Sequence, residues 1–296
     1  MKPAPDSALV SAIGKRYRHL IARIQQLPPA GSRPLTVAGR VSGWISSKAV
    51  RAVEGQAGVS VGPEAVHITA LPAQRLSMNK VLARLAESLR DAGCLKSWRN
   101  ELLDVIGEGR KLGCIERAAM RPLGLLTTAV HLNAWTPDGR LWIARRASTK
   151  ATDPDMWDTL VGGLAVAGES FDASLLRESQ EEAGLQPAEM AARDPMRTIL
   201  RMHRRLPEGY QVENVLVSEC VLGPDVRPVN QDGEVSEIRP VSMDELWDFI
   251  LGGHFTLEAE LVVLDGLLRR VSPGATLASL AAPLVPAHQA AGFAIR

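Results

Sequence analysis

The segment between residues 163 and 185 constrains the fold and chemistry of this 296-residue chain more than any other. Seven of its positions hold glycine or charged residues at fixed spacing: Gly163, Glu169, Arg177, Glu178, Glu181, Glu182 and Gly184. If each residue type has roughly 7% usage, seven specified positions match by chance about once in 10⁸ windows. Three glutamates alone would more often form a solvated acidic helix face. The full spacing indicates a functional site instead.

The same segment predicts a helix with defined ends. Ser170 is suited to the N-cap and Asp172 to the first helical turn, whereas Gly184 is suited to the C-terminal end. The last three glutamates lie about one turn apart, so their carboxylates are expected on one face. We expect the opposite face to be buried through Ala173, Leu176 and Ala183. The carboxylates repel one another, and a hard cation of the Mg²⁺ type, which prefers oxygen ligands, would remove that repulsion.

This pattern resembles the Nudix box, Gly-x5-Glu-x7-Arg-Glu-U-x-Glu-Glu-x-Gly-U, in which U is an apolar residue. The second U is Leu185, whereas the first is Ser179, a departure that leaves every charged position intact. The resemblance implies a Mg²⁺- or Mn²⁺-dependent hydrolase that cleaves a diphosphate attached to an organic group. It also implies an α/β fold, the Nudix α/β/α sandwich with a mixed sheet.

The resemblance also implies roles for individual residues. Glu178, Glu181 and Glu182 would hold the metal together with the carbonyl of Gly162. Glu178 is in addition the expected general base, and Arg177 would orient it by a charge-assisted hydrogen bond. In some Nudix enzymes another loop supplies the base instead.

Residues around the box are candidates for binding the substrate. Glu169 would join the metal shell or bond to the loop backbone, and Gly163 would permit close approach to phosphate oxygens. Glu234, in a loop expected to face the box helix, is a candidate for a further metal ligand, base or substrate contact. Three cations follow or end a strand and could receive phosphates: Arg145, Arg146 and Lys150. Strand alternation places only one of the two arginines inward, and a solvated strand end is the alternative for this group.

The order of elements predicts two regions, an α+β accessory domain over residues 1–120 and a Nudix domain over residues 121–296. The first is expected to contain an amphipathic helix near residues 6–27, a strand-like segment at 35–46 and a helix that starts after Ser77. In the second, strands are expected at 125–135, 140–147, 156–164, 198–206, 210–222 and 235–241, with helices starting near Met243 and Thr256.

A subgroup of the family shares more than the box. Residues 141–170 and 230–246, with Trp98–Glu101, Glu116-Arg117 and His131–Asn133, resemble the thiamin pyrophosphokinase-related Nudix proteins, which have a small N-terminal domain before the Nudix domain. This resemblance implies hydrolysis of damaged thiamin diphosphate, such as oxidised forms, to the monophosphate and phosphate. We expect the N-terminal region to close over the organic end of the substrate, with Trp98 and Arg99 nearest. A purely structural role or a dimer contact is the alternative.

Other activities stay open at this stage. Within hydrolases, a nucleoside diphosphate sugar or dinucleotide substrate is the main alternative. A non-catalytic ligand sensor is less favoured because such domains often lose box glutamates, all of which are present here. An isopentenyl diphosphate isomerase-like enzyme would need a cysteine just after the strand at 156–164, and there is none between Cys114 and Cys220.

Composition narrows the partners and the compartment. A hydrophobic content of 46% and a net charge of +1 are typical of a globular protein without a global field for nucleic acid or membranes. The three cysteines lack a CxxC pair, and the N-terminal residues lack an apolar signal core. These features predict a cytoplasmic protein whose partner is a small-molecule diphosphate. A homodimer is compatible with them.

Overall fold

The computed structural model describes residues 7–150 and 152–280 of the chain. The elements before residue 124 are α1 (Ser7–Ile24), β1 (Arg33–Val37), β2 (Arg40–Ile45), α2 (Ser47–Val53), β3 (Val59–Val61), β4 (Val66–Ile68), α3 (Met78–Asp91), β5 (Leu102–Gly107), β6 (Arg110–Glu116) and α4 (Met120–Leu123). The later elements are β7 (Leu126–Trp135), β8 (Leu141–Arg146), β9 (Trp157–Thr159), β10 (Val161–Leu164), α5 (Phe171–Ala183), β11 (Arg197–Leu206), β12 (Gly209–Val221), β13 (Val235–Val241), α6 (Met243–Gly252), α7 (Leu257–Val271) and α8 (Leu277–Leu280). No helix in these ranges is long and apolar enough to cross a membrane.

The later strands form one mixed sheet of seven strands. Its main order is β11-β12-β7-β8-β13, with β10 paired to β7 and β9 paired to β8. The β12–β7 pair is parallel and the other pairs are antiparallel. The apolar core on one face includes residues from α1, α6 and α7, and the core on the other face includes residues from α5. The expected α/β/α sandwich with a mixed sheet is confirmed.

The earlier elements have their own sheet and core. Four strands pair in the order β2-β1-β4-β3, and a separate hairpin is formed by β5 and β6. The segment predicted as one strand at 35–46 is a hairpin, because the chain turns at Ala38 and Gly39, which have φ values of 50° and 76°. Buried residues of α3 pack into this core, including Leu82, Leu85 and Leu89. The expected α+β region before the sandwich is therefore present.

Helix α1 does not pack with the core that follows it in sequence. Its buried residues Ile13, Tyr17, Leu20 and Ile24 join the core of the seven-stranded sheet and pack against α7 and β11. Arg16 on α1 also forms an ion pair with the buried Glu260 on α7, in which Nη2 donates to Oε2 at 3.0 Å. A domain boundary at residue 120 stays a prediction. A chain that began there would lack α1, and the part of the seven-stranded sheet's core that α1 covers would be exposed.

The packing of α1 generates a stability prediction. Replacing the fully buried Leu20 by alanine should lower the free energy of unfolding by about 2–5 kcal/mol, because the change leaves a cavity among packed side chains. Leu27, which is 75% exposed, is the matched control, and its change to alanine should alter stability by less than about 0.5 kcal/mol. Urea unfolding measures both. Equal effects of the two changes would contradict the packing of α1 in this core.

Candidate active site

The box helix α5 begins and ends where its sequence predicts. The Ser170 side chain accepts a hydrogen bond from the Ala173 N–H at 3.1 Å, which satisfies one of the free amides of the first turn. Gly184 adopts the left-handed conformation with a φ of 65°, and its N–H bonds back to the Gln180 carbonyl. Both capping predictions are confirmed.

The buried face of α5 differs from the predicted one. Ala173 is exposed and Leu176 is only half-buried, so of the predicted stripe Ala183 alone is fully buried. The buried residues instead include Glu178 and Glu182: Ser174, Leu175, Glu178, Ser179, Glu182 and Ala183. Helix periodicity could not reveal this orientation, because Glu182 finds its compensating contact on another element, strand β10.

Two consecutive glycines on β10 allow the carboxylates to approach the strand. The Gly162 N–H donates to Glu182 Oε2 at 2.9 Å. At Gly163, an added Cβ would lie 2.1 Å from Glu178 Cδ, far inside any normal contact. A side chain at position 163 would therefore displace Glu178, which gives this glycine a role beyond the predicted approach to phosphate.

Arg177 contacts three carboxylates of the box. Its Nη1 lies 3.0 Å from Glu178 Oε1 and 3.0 Å from Glu181 Oε2, and its Nε lies 3.3 Å from Glu169 Oε1. The expected contact between Arg177 and Glu178 is thus present. Glu169 also accepts from the Ser174 hydroxyl at 2.8 Å, and these hydrogen bonds from Ser174 and Arg177 lower the pKa of Glu169. Among the described contacts Glu169 bonds to helix side chains, whereas a metal or loop-backbone partner was expected.

A second acidic loop completes a cluster with Glu182. One carboxylate oxygen from each of Glu182, Asp232 and Glu234 lies within 4.8 Å of the others. Burial raises the pKa of Glu182 to about 8, and the nearby charge of Glu178 adds to this effect. The hydrogen bond from Gly162 opposes it. The sequence predicted Glu182 and Glu234 as site residues but missed Asp232. Only Gly233 separates Asp232 from Glu234, and this spacing of two acidic residues in one loop was a usable signal.

Glu181 is not part of that cluster. Its side chain is 48% exposed and is bound to Arg177, as an i, i+4 ion pair on the helix surface. Glu178 likewise is absent from the cluster of close oxygens among the described residues. Burial raises the pKa of Glu178, while the Arg177 charge opposes this rise. The ligand set of Glu178, Glu181, Glu182 and the Gly162 carbonyl stays a prediction. Of its three glutamates, Glu182 is the one that belongs to the acidic cluster with Asp232 and Glu234.

The predicted phosphate-binding cations lie in two different environments. Lys150 forms an ion pair with Glu234, and Arg146 pairs with Asp158 at 2.9 Å while donating to the Thr152 carbonyl. Arg145 is exposed and donates to the Asp155 carbonyl, outside the cavity that the other two line. Only Lys150 and Arg146 of the three cations therefore line the cavity, and strand alternation turns Arg145 to the outer face as expected. Phosphate binding by these cations stays a prediction.

A cavity of about 520 Å³ lies beside this acidic cluster. Both regions of the chain line it: Ser97, Arg99, Arg117 and Arg121 come from the N-terminal region, taken as the elements before residue 124, and Ala129, His131, Arg146, Thr149, Lys150, Thr152, Asp153, Asp158, Gly162, Gly163, Leu164, Gln211, Glu213, Asp232, Gly233, Glu234, Thr256 and Glu258 come from later elements. Arg99 lines the cavity, whereas Trp98 is not among the lining residues and instead stacks under Arg90, so the expected place of both beside the substrate stays a prediction. Burial lowers the pKa of His131, which favours the neutral ring.

Comparison with known proteins places the later elements in a family. Residues 125–258 match the NUDIX domain. Nudix hydrolase 24, chloroplastic, from Arabidopsis thaliana is 30% identical over 208 residues, which are 66% of this chain and 56% of that protein. Because 208 residues exceed the matched domain, the likeness extends beyond it. Nudix hydrolase 20, chloroplastic, from the same plant is 29% identical over 198 residues, covering 64% of this chain and 52% of the relative.

The chain thus spans about half the length of these curated relatives. Among solved structures, DR0079 from Deinococcus radiodurans has a TM-score of 0.41 and 23% identity, with 58% of this chain and 99% of that chain covered.

The contact between Gly163 and Glu178 generates a prediction. Gly163→Ala should displace the Glu178 carboxylate from β10, because the new Cβ would overlap its side chain. Hydrolysis of any diphosphate that the unaltered protein cleaves should fall by at least about 10-fold, the lower part of the range for a misplaced catalytic group. Gly223→Ala is the control, since its Cβ would meet only Val226 at an ordinary 3.6 Å. Equal activity of the two variants would contradict a positional role for Gly163.

Proposed function

We propose that this chain hydrolyses a diphosphate attached to an organic group, because its residues 125–258 match the NUDIX domain and it resembles two Nudix hydrolases beyond that domain. The observation that supports this most is the cluster of Glu182, Asp232 and Glu234 beside a cavity that also contains Lys150 and Arg146. The carboxylates can bind a metal ion, and the cationic side chains can bind a polyphosphate. A site with only one of these groups would suit only one of the two partners.

The donor set fits Mg²⁺ or Mn²⁺. Both are hard cations that prefer oxygen ligands, and the cluster offers carboxylate oxygens alone. We infer that Glu182, Asp232 and Glu234 would hold such an ion, with Glu178 and Glu181 as the further ligands that the box resemblance implies. When bound, the cation supplies positive charge that neutralises the diphosphate and makes water more acidic.

The remaining chemistry falls to side chains of the chain itself. Water must attack one phosphorus and lose a proton, and the bond from that phosphorus to the bridging oxygen must break. Glu178 is the proposed acceptor of the proton, and Arg177, at 3.0 Å from its Oε1, would fix its orientation. Lys150 and Arg146 would exchange part of their present carboxylate contacts for phosphate oxygens, with Gly163 and Glu234 at the same wall.

The proposed substrate is a damaged thiamin diphosphate, cleaved to the monophosphate and phosphate. The motif resemblance outside the box supports it, as does the cavity wall built by Arg99, Arg117 and Arg121 of the N-terminal region. A nucleoside diphosphate sugar or dinucleotide is the alternative substrate. The isomerase alternative lacks its cysteine, and a non-catalytic sensor would not require the complete set of box carboxylates. A cytoplasmic location and a homodimer stay predictions.

The box carboxylates generate the first functional prediction. Glu178→Gln and Glu182→Gln should each lower Mg²⁺-dependent turnover by at least about 10²-fold, the scale of general acid–base catalysis. Glu87→Gln, an exposed change on α3, is the charge-matched control and should retain full activity. Phosphate release and thermal unfolding are measured for all three. Near-normal turnover in a folded Glu178 or Glu182 variant would refute the assigned roles.

The substrate assignment generates a second functional prediction. Purified protein with Mg²⁺ should cleave oxidised thiamin diphosphate with a higher kcat/KM than ADP-ribose or UDP-glucose, and phosphate should be released. Product analysis by mass spectrometry across this panel measures both quantities. A tenfold preference for either nucleotide sugar would overturn the thiamin assignment and leave the diphosphohydrolase reaction in place.

A further inference from the structure

Part of the cavity wall is built by strand β12, strand β7 and the start of α7. Gln211, Glu213, Glu258 and His131 line it there. Gln211, Glu213 and His131 are each more than nine-tenths buried. None of them belongs to the box or to the cluster of Glu182, Asp232 and Glu234, so the diphosphate chemistry gives them no role.

The hydrogen bonds of Gln211 leave an acceptor without a partner. Its Nε2 donates to Glu213 Oε1 at 3.0 Å and to Glu258 Oε1 at 3.1 Å. Because Nε2 is the donor in both contacts, the nitrogen end of the amide faces the two carboxylates. Gln211 Oε1 is thereby turned away, and it has no hydrogen-bond partner among the described residues.

His131 presents a second acceptor. Its Nδ1 lies 3.0 Å from Thr159 Oγ1, whose hydroxyl donates to the Val161 carbonyl at 2.8 Å. Since a hydroxyl has one proton, the Thr159 oxygen accepts from His131, and Nδ1 is the protonated nitrogen. In the neutral ring Nε2 is then an acceptor, and it too is buried and without a partner in the part of the chain described.

Carboxylates extend the same wall. Both oxygens of Glu213 already accept hydrogen bonds, from Gln211 and from Thr127 Oγ1 at 2.6 Å. Glu258 Oε1 accepts from Gln211 and lies 3.7 Å from Arg204, so among the described contacts Glu258 keeps acceptor capacity. The wall thus consists of acceptors, two of them buried and unpaired, which is an arrangement that a ligand with hydrogen-bond donors would complete.

We propose that Gln211, His131 and Glu258 form the specificity subsite for the organic end of the substrate, and that this end is a nitrogen heterocycle carrying N–H donors. The inference rests on the proposed diphosphate hydrolysis and deepens it. A purely apolar end, such as a prenyl chain, is disfavoured because it would leave the buried acceptors unpaired. Sites built to hydrogen-bond a group discriminate strongly against analogues that lack it.

The test compares a probe that has the ring with one that lacks it. Oxidised thiamin diphosphate and methyl diphosphate are assayed with Mg²⁺ for the unaltered protein, Gln211→Met and Glu258→Gln. Both substitutions conserve size but remove an acceptor. The KM for oxidised thiamin diphosphate should rise at least about 10-fold in each variant, and the preference for the ring-bearing probe should fall by the same factor.

Gln74→Met, an exposed change in the N-terminal region, is the matched control and should keep the original preference. Thermal unfolding establishes whether each variant is folded. If Gln211→Met does not fold, the kinetics of Glu258→Gln test the subsite. If the unaltered protein cleaves neither probe, the thiamin diphosphate assignment fails, and the subsite proposal that rests on it fails as well. If it cleaves oxidised thiamin diphosphate but both variants keep the original KM and preference, the subsite is wrong while the hydrolase reaction stands.

Discussion

The site depends on the burial of two carboxylates, Glu178 and Glu182, between the box helix and strand β10. Burying a charge is costly unless it is paired, and here the compensation comes from the Gly162 N–H and the Arg177 guanidinium. The contact with Gly162 requires the helix to lie close to β10, and the position of Glu178 requires that residue 163 has no side chain. The position of α5, the paired glycines and the reach of Arg177 are therefore parts of one arrangement.

The two regions of the chain meet at the cavity in a way that links chemistry to specificity. The later elements supply the acidic cluster and its cations, while Arg99, Arg117 and Arg121 of the earlier region close the opposite side. Ion pairs with Glu101 and Glu208 hold Arg117 and Arg121, so that wall has a defined shape. The proposed reaction and the proposed selection of a heterocycle thus use different side chains around one cavity.

Local signals predicted much of this structure, and long-range contacts account for most of what they missed. Ser170 and Gly184 act through backbone groups a few residues away, so their roles follow from sequence alone. The inward orientation of α5 depends on β10 and could not be obtained from apolar periodicity. Asp232 becomes part of the site only because its loop folds against Glu182. Likewise, the turn at Ala38 and Gly39 requires a positive φ at Ala38, and because alanine rarely adopts a positive φ, the sequence does not predict the turn.

The ion pair between Arg16 and Glu260 joins positions 244 residues apart. During synthesis α1 leaves the ribosome early, yet the surface that buries its apolar stripe is complete only when α7 has followed. The sandwich core must therefore close after nearly the whole chain is made, and that step brings together distant segments, which is slow. Until then Ile13, Leu20 and Ile24 lack the surface that buries them, so the docking of α1 is a late step in folding.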